Sequence, residues 1–293
     1  MTTEPAPPQP QFLEAPELPD GVEPRRQPRW PPWMSVVALV AGFAGALFGA
    51  LVIGVVAVAF GADFGDQPAS VQILATIVQD LCLIASAILF ARMAGRVSPA
   101  DFGLRPTRLR SAIGWAVLAW ASFYIFTAAF VTLVGASPSD DQLPKELGVD
   151  ESTVAMLAVA FLVAVVAPIA EEFFFRGFFF TALKNWRGVW PAAILTGLVF
   201  GAIHGSSADV AFLLPLAFFG FSLCLLYEKT GSLYPGIAVH CANNSIAFGA
   251  TQDWTWQIPV LLASSLAVIA VVALAVRAMW SPGPPAAAPA PAA

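Results

Sequence analysis

Long apolar stretches constrain this sequence most, because a helix needs about 20 predominantly apolar residues to cross a bilayer. Only 11% of the residues are charged, against roughly 25% in a soluble globular domain. A soluble fold is therefore disfavoured, and the sequence predicts an all-α membrane protein with an eight-transmembrane-helix bundle. The eight candidate spans are Met34–Phe60, Val71–Ala94, Ala112–Ala136, Thr153–Leu183, Val189–His204, Val210–Tyr227, Leu233–Ala250 and Pro259–Met279.

The distribution of Lys and Arg predicts the orientation of the bundle, since cytoplasmic loops retain positive charge. Of the fourteen basic residues, Lys145 lies in one set of alternate loops and Arg176 lies within a span. Both chain ends are therefore expected in the cytoplasm, which agrees with an even number of spans. The other basic residues lie on the predicted cytoplasmic side: Arg25, Arg26, Arg29, Arg92, Arg96, Arg105, Arg108, Arg110, Lys184, Arg187, Lys229 and Arg277.

The two ends of the chain differ in composition from the apolar part between them. Residues 1–33 are acidic and Pro-rich, and residues 281–293 are rich in Pro and Ala. Such segments contain too little apolar surface to form a packed core. We therefore expect two disordered tails, the first one cytoplasmic, around a transmembrane domain of residues 34–280.

Adjacent carboxylates interrupt the fourth candidate span, which is otherwise almost wholly apolar. Ionisable groups inside a membrane are costly unless they are paired or hydrated, so they mark functional sites. Glu172 and Arg176 are spaced i,i+4 with the acid first, which favours an ion pair within the helix. Glu171 is rotated by about 100° from Glu172 and could face a central cavity. The alternative is a structural ion pair between helices.

Both histidines of the chain also fall within candidate spans. A single His on an apolar helix face is usually a packing residue, but two of them near a carboxylate pair favour a site. His240 and Asn244 are spaced i,i+4 and project from one face as hydrogen-bond donors, as stabilisation of an oxyanion requires. Glu171 and His204 are nearly equidistant from the intervening turn, so a helical hairpin would place them at the same depth.

Other polar residues in or near the spans are weaker candidates. Gln79 and Asp80 could line the same cavity, although a structural role is favoured. Ser206, Ser207 and Asp209 closely follow His204, but no G-x-S-x-G nucleophile elbow is present, so they indicate a loop and a helix N-cap. Pro168, just before the carboxylate pair, predicts a helix kink that could open a hydrated pocket.

Three spaced motifs resemble those of a known family. They are EExxxR (Glu171, Glu172, Arg176), FxxxH (Phe200, His204) and HxxxN (His240, Asn244), in that order. The sequence resembles the CPBP intramembrane proteases, also called the CAAX-protease and bacteriocin-processing or Abi group, over about residues 70–250. This group includes the type II CAAX prenyl endopeptidases, which cut prenylated proteins after the lipidated cysteine. The resemblance implies an eight-helix bundle with a polar cavity open to the cytoplasm.

The resemblance also implies a role for each residue of the three motifs. Glu171 would be the general base that activates water, oriented by Glu172 and Arg176, while His204 would bind the water or a metal. His240 and Asn244 would hold the oxyanion. If a metal is used, Zn²⁺ would be bound by Glu171, His204 and His240, but no HExxH helix is present, so a metal-free, glutamate-activated water is favoured.

The function expected from these residues is hydrolysis of a peptide bond in a membrane-associated or lipidated substrate. The expected partners are that peptide or protein and the lipid bilayer, with no nucleic acid, and the expected location is the bacterial plasma membrane. One alternative is a non-catalytic bacteriocin-immunity or membrane-assembly factor that retains the fold. Another is a proton-coupled transporter, which predicts inverted repeats that the sequence does not show.

Overall fold

The computed structural model describes residues 28–63, 67–135, 143–206 and 208–280, and within them all regular structure is helical. A helix forms at each of the eight places that the sequence predicts. We number these eight helices in chain order. They are α1 Trp33–Ala59, α2 Ala69–Met93, α3 Leu109–Val134, α4 Thr153–Arg187, α5 Val189–Ile203, α6 Val210–Thr230, α7 Tyr234–Thr251 and α8 Gln257–Met279.

Six of these helices are long and apolar enough to cross a membrane, namely α1, α2, α3, α4, α6 and α8. The α5 helix is apolar but has only 15 residues, and α7 contains the polar His240, Asn243 and Asn244. The all-helical, multi-pass membrane architecture is therefore confirmed for the described residues. Eight crossings and cytoplasmic chain ends remain predictions.

The α4 helix is wider than a regular α-helix in two places. Residues Leu162–Val166 and Phe173–Phe180 are π-helical, and the α-helical turn Ala167–Glu172 lies between them. Pro168 lies in that turn and has no backbone N–H to donate. π-Helical segments are frequent at functional sites, and here they flank the two carboxylates directly.

The centre of the bundle is aromatic and is formed largely by α4. Burial of large apolar side chains against α4 places the polar residues of this helix among rings rather than lipid. Phe200 of α5 and Phe219 of α6 reach the same core and are 1% exposed each. The α4 phenylalanines that are at most 2% exposed are Phe174, Phe175, Phe178, Phe179 and Phe180.

Two glycines allow α5 and α6 to pack closely. A Cβ atom at Gly197 would lie 2.5 Å from the carbonyl oxygen of Ala217, and one at Gly201 would collide with the carbonyl oxygen of Leu213. Small residues four apart are the usual means by which membrane helices bring their backbones together. This contact sets the distance between Phe200 and the α6 backbone.

The segment between α2 and α3 is anchored to the bundle. Phe102 is 3% exposed and stacks on Phe173, with ring centroids 4.6 Å apart. The Arg105 side chain donates a hydrogen bond to the Gly231 carbonyl oxygen, and the Ser232 hydroxyl donates to the Arg105 carbonyl oxygen. The link is therefore part of the packed structure at the α6–α7 turn.

Packing at the N-terminal side begins before the predicted boundary at residue 33. Trp30 is 3% exposed, and its ring centroid lies 5.1 Å from that of Phe102 and 5.0 Å from that of Phe178. The prediction of a disordered tail is therefore wrong for this tryptophan, whose large apolar surface is buried. Residues 1–27 and 281–293, which make up most of the two predicted tails, lie outside the described residues.

Candidate active site

Glu172 and Arg176 form the predicted i,i+4 ion pair at the centre of α4. Glu172 Oε1 lies 2.7 Å from Arg176 Nη1, and both side chains are fully buried. A charge in this environment is tolerated only when a counter-charge and further hydrogen bonds satisfy it. Arg176 Nη2 donates to the Gly220 carbonyl oxygen at 3.1 Å, and the guanidinium lies over the Phe200 ring at 4.6 Å. Arg176 therefore joins α4 to α5 and α6.

His240 of α7 lies between the two adjacent carboxylates. Its Nδ1 is 2.9 Å from Glu172 Oε1, and its Nε2 is 3.7 Å from Glu171 Oε2. A carboxylate only accepts hydrogen bonds, so Nδ1 carries a hydrogen and donates it to Glu172. The second distance is too long for a hydrogen bond. The hydrogen bond from Nδ1 thereby holds Nε2 in place near Glu171. Nε2 itself stays available to form a hydrogen bond with a reactant.

Glu171 differs from Glu172 in exposure. Its side chain is 18% exposed, whereas the Glu172 side chain is 0% exposed. Oε2 of Glu171 accepts no hydrogen bond from the described residues. Glu171 is therefore the carboxylate of the pair that a small molecule can reach, and Glu172 is the one fixed by the protein.

Phe200 connects His204 to the rest of the cluster. Nδ1 of His204 lies 2.7 Å from the Phe200 carbonyl oxygen, which accepts its hydrogen, and the two rings are 4.8 Å apart. The Phe200 ring also lies 5.8 Å from the His240 ring, nearly perpendicular to it. Phe200 belongs to the FxxxH motif, but the spacing of that motif assigns it no role. In the structure it contacts both histidines and Arg176.

Asn244 compensates for the missing N–H of Pro168. In the first π-helical segment the Ala167 N–H donates a hydrogen bond to the Leu162 carbonyl oxygen, five residues earlier. In the same pattern the donor to the Val163 carbonyl oxygen would be the backbone N–H of residue 168, which is a proline. Proline cannot donate, and the Asn244 side chain supplies the hydrogen bond to the Val163 carbonyl oxygen at 3.0 Å. The second hydrogen of the Asn244 amide is not used in this contact.

A hydrogen-bond chain leads from α3 to Asn244. The Tyr124 hydroxyl donates to Asn243 Oδ1 at 3.2 Å, and Asn243 Nδ2 donates to Asn244 Oδ1 at 3.4 Å. Asn243 thus contacts the neighbouring helix α3. The chain fixes the amide plane of Asn244, which leaves its Nδ2 directed away from α3.

The structure brings most of the predicted site residues together. Glu171, Glu172, Arg176 and His240 form one connected cluster, which His204 joins through Phe200. One predicted contact differs: Glu172 binds His240 and Arg176, so it orients the histidine rather than Glu171. Asn244 shares a helix face with His240 as predicted, and its partner is the backbone of α4.

The two weaker candidates on α2 have different surroundings. Gln79 lines a pocket between α1 and α2 together with Phe43 and Leu47. Asp80, in contrast, is 3% exposed, and its Oδ2 has no hydrogen-bond partner among the described residues. Sequence reasoning favoured a structural role for both because the helical period alone did not separate them.

Among the described residues, no group of three or more His, Cys, Asp and Glu side chains is arranged to hold a metal ion. The residues predicted as ligands if a metal is used, Glu171, His204 and His240, are not among such a group, and the use of a metal stays a prediction. No step proposed below passes through a metal.

Comparison with known proteins identifies the part of the chain that carries the cluster. Residues 153–246 match the family model described as type II CAAX prenyl endopeptidase Rce1-like. The chain is 30% identical over 145 residues to a Bacillus subtilis (strain 168) protein named "Putative membrane peptidase YdiL". That alignment covers 46% of this chain and 57% of the relative, so the chain spans little more than half of its length. No solved structure gives a significant match.

The matched segment runs from the start of α4 into α7, so it contains Glu171, Glu172, Arg176, His204, His240 and Asn244. All three motifs of the sequence analysis lie within it, in the order that the resemblance required. Over residues 153–246 the chain is therefore similar to the Rce1-like type II CAAX prenyl endopeptidases, which supports the resemblance to the CPBP membrane proteases.

Proposed function

We propose that the chain is an intramembrane endopeptidase that hydrolyses a peptide bond of a membrane-associated or lipidated substrate. The observation that carries this proposal is the position of His240 between a fully buried carboxylate, Glu172, and a partly exposed one, Glu171. A structural ion pair needs neither the histidine nor the second carboxylate. Peptide hydrolysis requires a general base for the water, a hydrogen-bond donor for the oxyanion and an acceptor that holds this donor in position.

In the proposed mechanism Glu171 is the general base. It takes a proton from a bound water as the water oxygen attacks the scissile carbonyl carbon. The proton then passes to the amine as the C–N bond breaks. His204 is proposed to help hold the water. The proposed mechanism needs no metal.

His240 and Asn244 are proposed to donate hydrogen bonds to the oxyanion that forms. Because Nδ1–H of His240 is engaged with Glu172, donation from Nε2 requires the doubly protonated ring. Asn244 has one amide hydrogen beyond the one bonded to Val163. The two donors lie on the same face of α7, one helical turn apart.

We also propose that all eight helices cross the membrane and that both chain ends are cytoplasmic, in a bacterial plasma membrane. The charge distribution supports this orientation, since twelve of the fourteen basic residues fall on one predicted side. Single cysteines placed at Arg96 and at Asp253 test it. A membrane-impermeant thiol reagent applied to intact cells should label position 253 and not position 96, and the reverse pattern would refute the orientation.

Cleavage assays with the purified protein test the proposed activity. A panel of prenylated and unmodified membrane-anchored peptides is offered to the wild type and to Glu171→Ala and His204→Ala. Asp253→Asn is the matched control, because it removes a carboxylate from the exposed loop between α7 and α8. We expect cleavage by the wild type and the control, and a loss of about 10²-fold or more in each site variant.

The same assay with a zinc chelator separates the two catalytic types. Cleavage that persists under the chelator supports the glutamate-activated water, whereas loss that added Zn²⁺ restores would establish a metalloenzyme. Full activity of Glu171→Ala would contradict the mechanism. Peptides with and without the lipid show which substrate class is preferred.

Replacing Pro168 by Ala tests the link between α4 and Asn244. The new N–H competes with the Asn244 amide for the Val163 carbonyl oxygen, and the helix loses a residue that costs about 3 kcal/mol in a helix interior. We expect cleavage to fall by about tenfold while the thermal unfolding temperature in detergent does not decrease. Unchanged cleavage would show that the Val163 contact does not position Asn244.

A further inference from the structure

Tyr124 of α3 lies outside the matched segment, and the mechanism above assigns it no role. Its ring meets those of Trp120 and Phe123 edge to face, with centroids 4.9 and 5.1 Å away. Such aromatic pairs prefer this geometry and restrict the orientation of the ring. The hydroxyl is thereby held against α7, where it contacts the side chain of Asn243.

The donor and acceptor atoms of the hydrogen-bond chain follow from its end on α4. The Val163 carbonyl oxygen can only accept, so the Asn244 atom 3.0 Å from it is Nδ2, and Oδ1 of Asn244 faces the other way. This Oδ1 also only accepts, so the Asn243 atom 3.4 Å from it is Nδ2. Asn243 therefore presents Oδ1 to Tyr124, whose hydroxyl donates to it at 3.2 Å. All three hydrogen bonds run in one direction.

Hydrogen bonds that run in one direction strengthen one another, because each amide is polarised by the bond that its oxygen accepts. A bond accepted by Asn244 Oδ1 draws electron density from the nitrogen through amide resonance, so both Nδ2 hydrogens become stronger donors. One of these hydrogens is used by Val163. The other is the hydrogen proposed above for the oxyanion, and the bond to Asn243 fixes the amide plane in which it lies.

We propose that Tyr124 is a positioning residue for the oxyanion donor and that it acts on Asn244 through Asn243. The hydroxyl orients and polarises the Asn244 amide without contacting the substrate. Its effect belongs to the transition state, in which the negative charge forms, rather than to substrate binding. This inference rests on the proposed function, because it deepens the role given there to Asn244.

Tyr124→Phe removes the hydroxyl and keeps the ring beside Trp120 and Phe123. We expect kcat for peptide cleavage to fall by about five- to tenfold with KM within about twofold, a part of the roughly 10²- to 10³-fold cost of losing an oxyanion donor. Tyr234→Phe is the matched control, since Tyr234 at the start of α7 is also partly exposed and lies outside the hydrogen-bond chain. An equal loss in the control, or a kcat of Tyr124→Phe within about twofold of the wild type, would overturn the inference.

A double-mutant cycle on kcat tests whether Tyr124 acts through Asn243. Asn243→Ala interrupts the hydrogen-bond chain, so adding Tyr124→Phe to it should change kcat by less than about twofold. A contribution of Tyr124 that does not need the Asn243 amide would lower kcat by the same factor in both backgrounds. Equal factors would therefore contradict the proposed relay.

NMR of the side-chain amides tests the relay without relying on activity. The sequence has three asparagines, so asparagine-selective ¹⁵N labelling in detergent gives three side-chain NH₂ pairs, assigned by replacing Asn185, Asn243 and Asn244 in turn. We expect Tyr124→Phe to shift the pairs of Asn243 and Asn244, with the Asn244 hydrogens moving upfield because they become weaker donors. Asn185, which donates to the Pro28 carbonyl oxygen, should not shift.

A shift confined to Asn243 would show that Tyr124 does not act on Asn244, whatever the kinetics give. If the wild type cleaves no peptide of the panel, the proposed function fails. The spectra then still decide whether Tyr124 positions the Asn244 amide, so the two failures are distinguishable.

Discussion

Glu172→Gln is expected to lower kcat/KM for peptide cleavage by about 10³-fold, close to the loss of an oxyanion donor. Gln can keep both hydrogen bonds of Glu172 Oε1, to Arg176 and to His240, so the variant removes the charge and little else. The doubly protonated His240 that the proposed mechanism requires needs that charge, because an unpaired buried charge costs several kcal/mol. Without it, Nε2 of His240 has no hydrogen to donate.

The control for this variant must separate loss of charge from loss of folding, since Glu172→Gln leaves Arg176 without a counter-ion. The double variant Glu172→Gln with Arg176→Met removes both charges. We expect it to regain an unfolding temperature near that of the wild type while cleavage stays low. Cleavage at the wild-type rate by the folded double variant would show that His240 acts without the charge of Glu172.

Local sequence signals predicted the helices and the pairs within them. The first helix is observed at Trp33–Ala59 and predicted at Met34–Phe60, because the apolar run ends where the helix ends. The Glu172–Arg176 pair follows from the i,i+4 spacing alone. His240 and Asn244 share a face for the same reason. These features depend only on helical periodicity, which the sequence contains directly.

Contacts between helices are the part that periodicity did not determine. Glu172 and His240 are 68 residues apart, and nothing in either motif indicates that the histidine binds Glu172 in preference to Glu171. The Asn244 contact with Val163 depends on π-helical turns, which shift the backbone pattern by one residue. Sequence rules assume regular α-helix, so they indicate a kink at Pro168 but not its partner.

Gln79 and Asp80 also show that helical periodicity does not determine the contacts between helices. Gln79 and Asp80 are adjacent polar residues in a span, and both were assigned a structural role. In the structure Gln79 lines a pocket together with residues of α1, whereas Asp80 is almost fully buried. A sequence separates these two positions only when the neighbours of each helix face are known. The number of spans remains a prediction because α5 and α7 are shorter or more polar than an ordinary membrane helix.

Arg176→Met is expected to reduce the free energy of unfolding by about 3–5 kcal/mol, the usual cost of leaving a buried charge without its partner. Met fills much of the volume but cannot pair with Glu172, donate to Gly220 or lie as a cation over Phe200. The contacts that join α4 to α5 and α6 are lost together. Chemical unfolding in mixed detergent micelles measures the change.

Arg187→Met is the matched control for this stability prediction, because Arg187 is exposed on the Trp186 ring at the end of α4. Its effect should stay within about 0.5 kcal/mol. The double variant Arg176→Met with Glu172→Gln should regain most of the lost stability, since no charge is then left unpaired. If Arg176→Met were as stable as the control, Glu172 would not be held as a buried anion by Arg176. The charge-dependent role proposed for Glu172 beside His240 would then lose its physical basis.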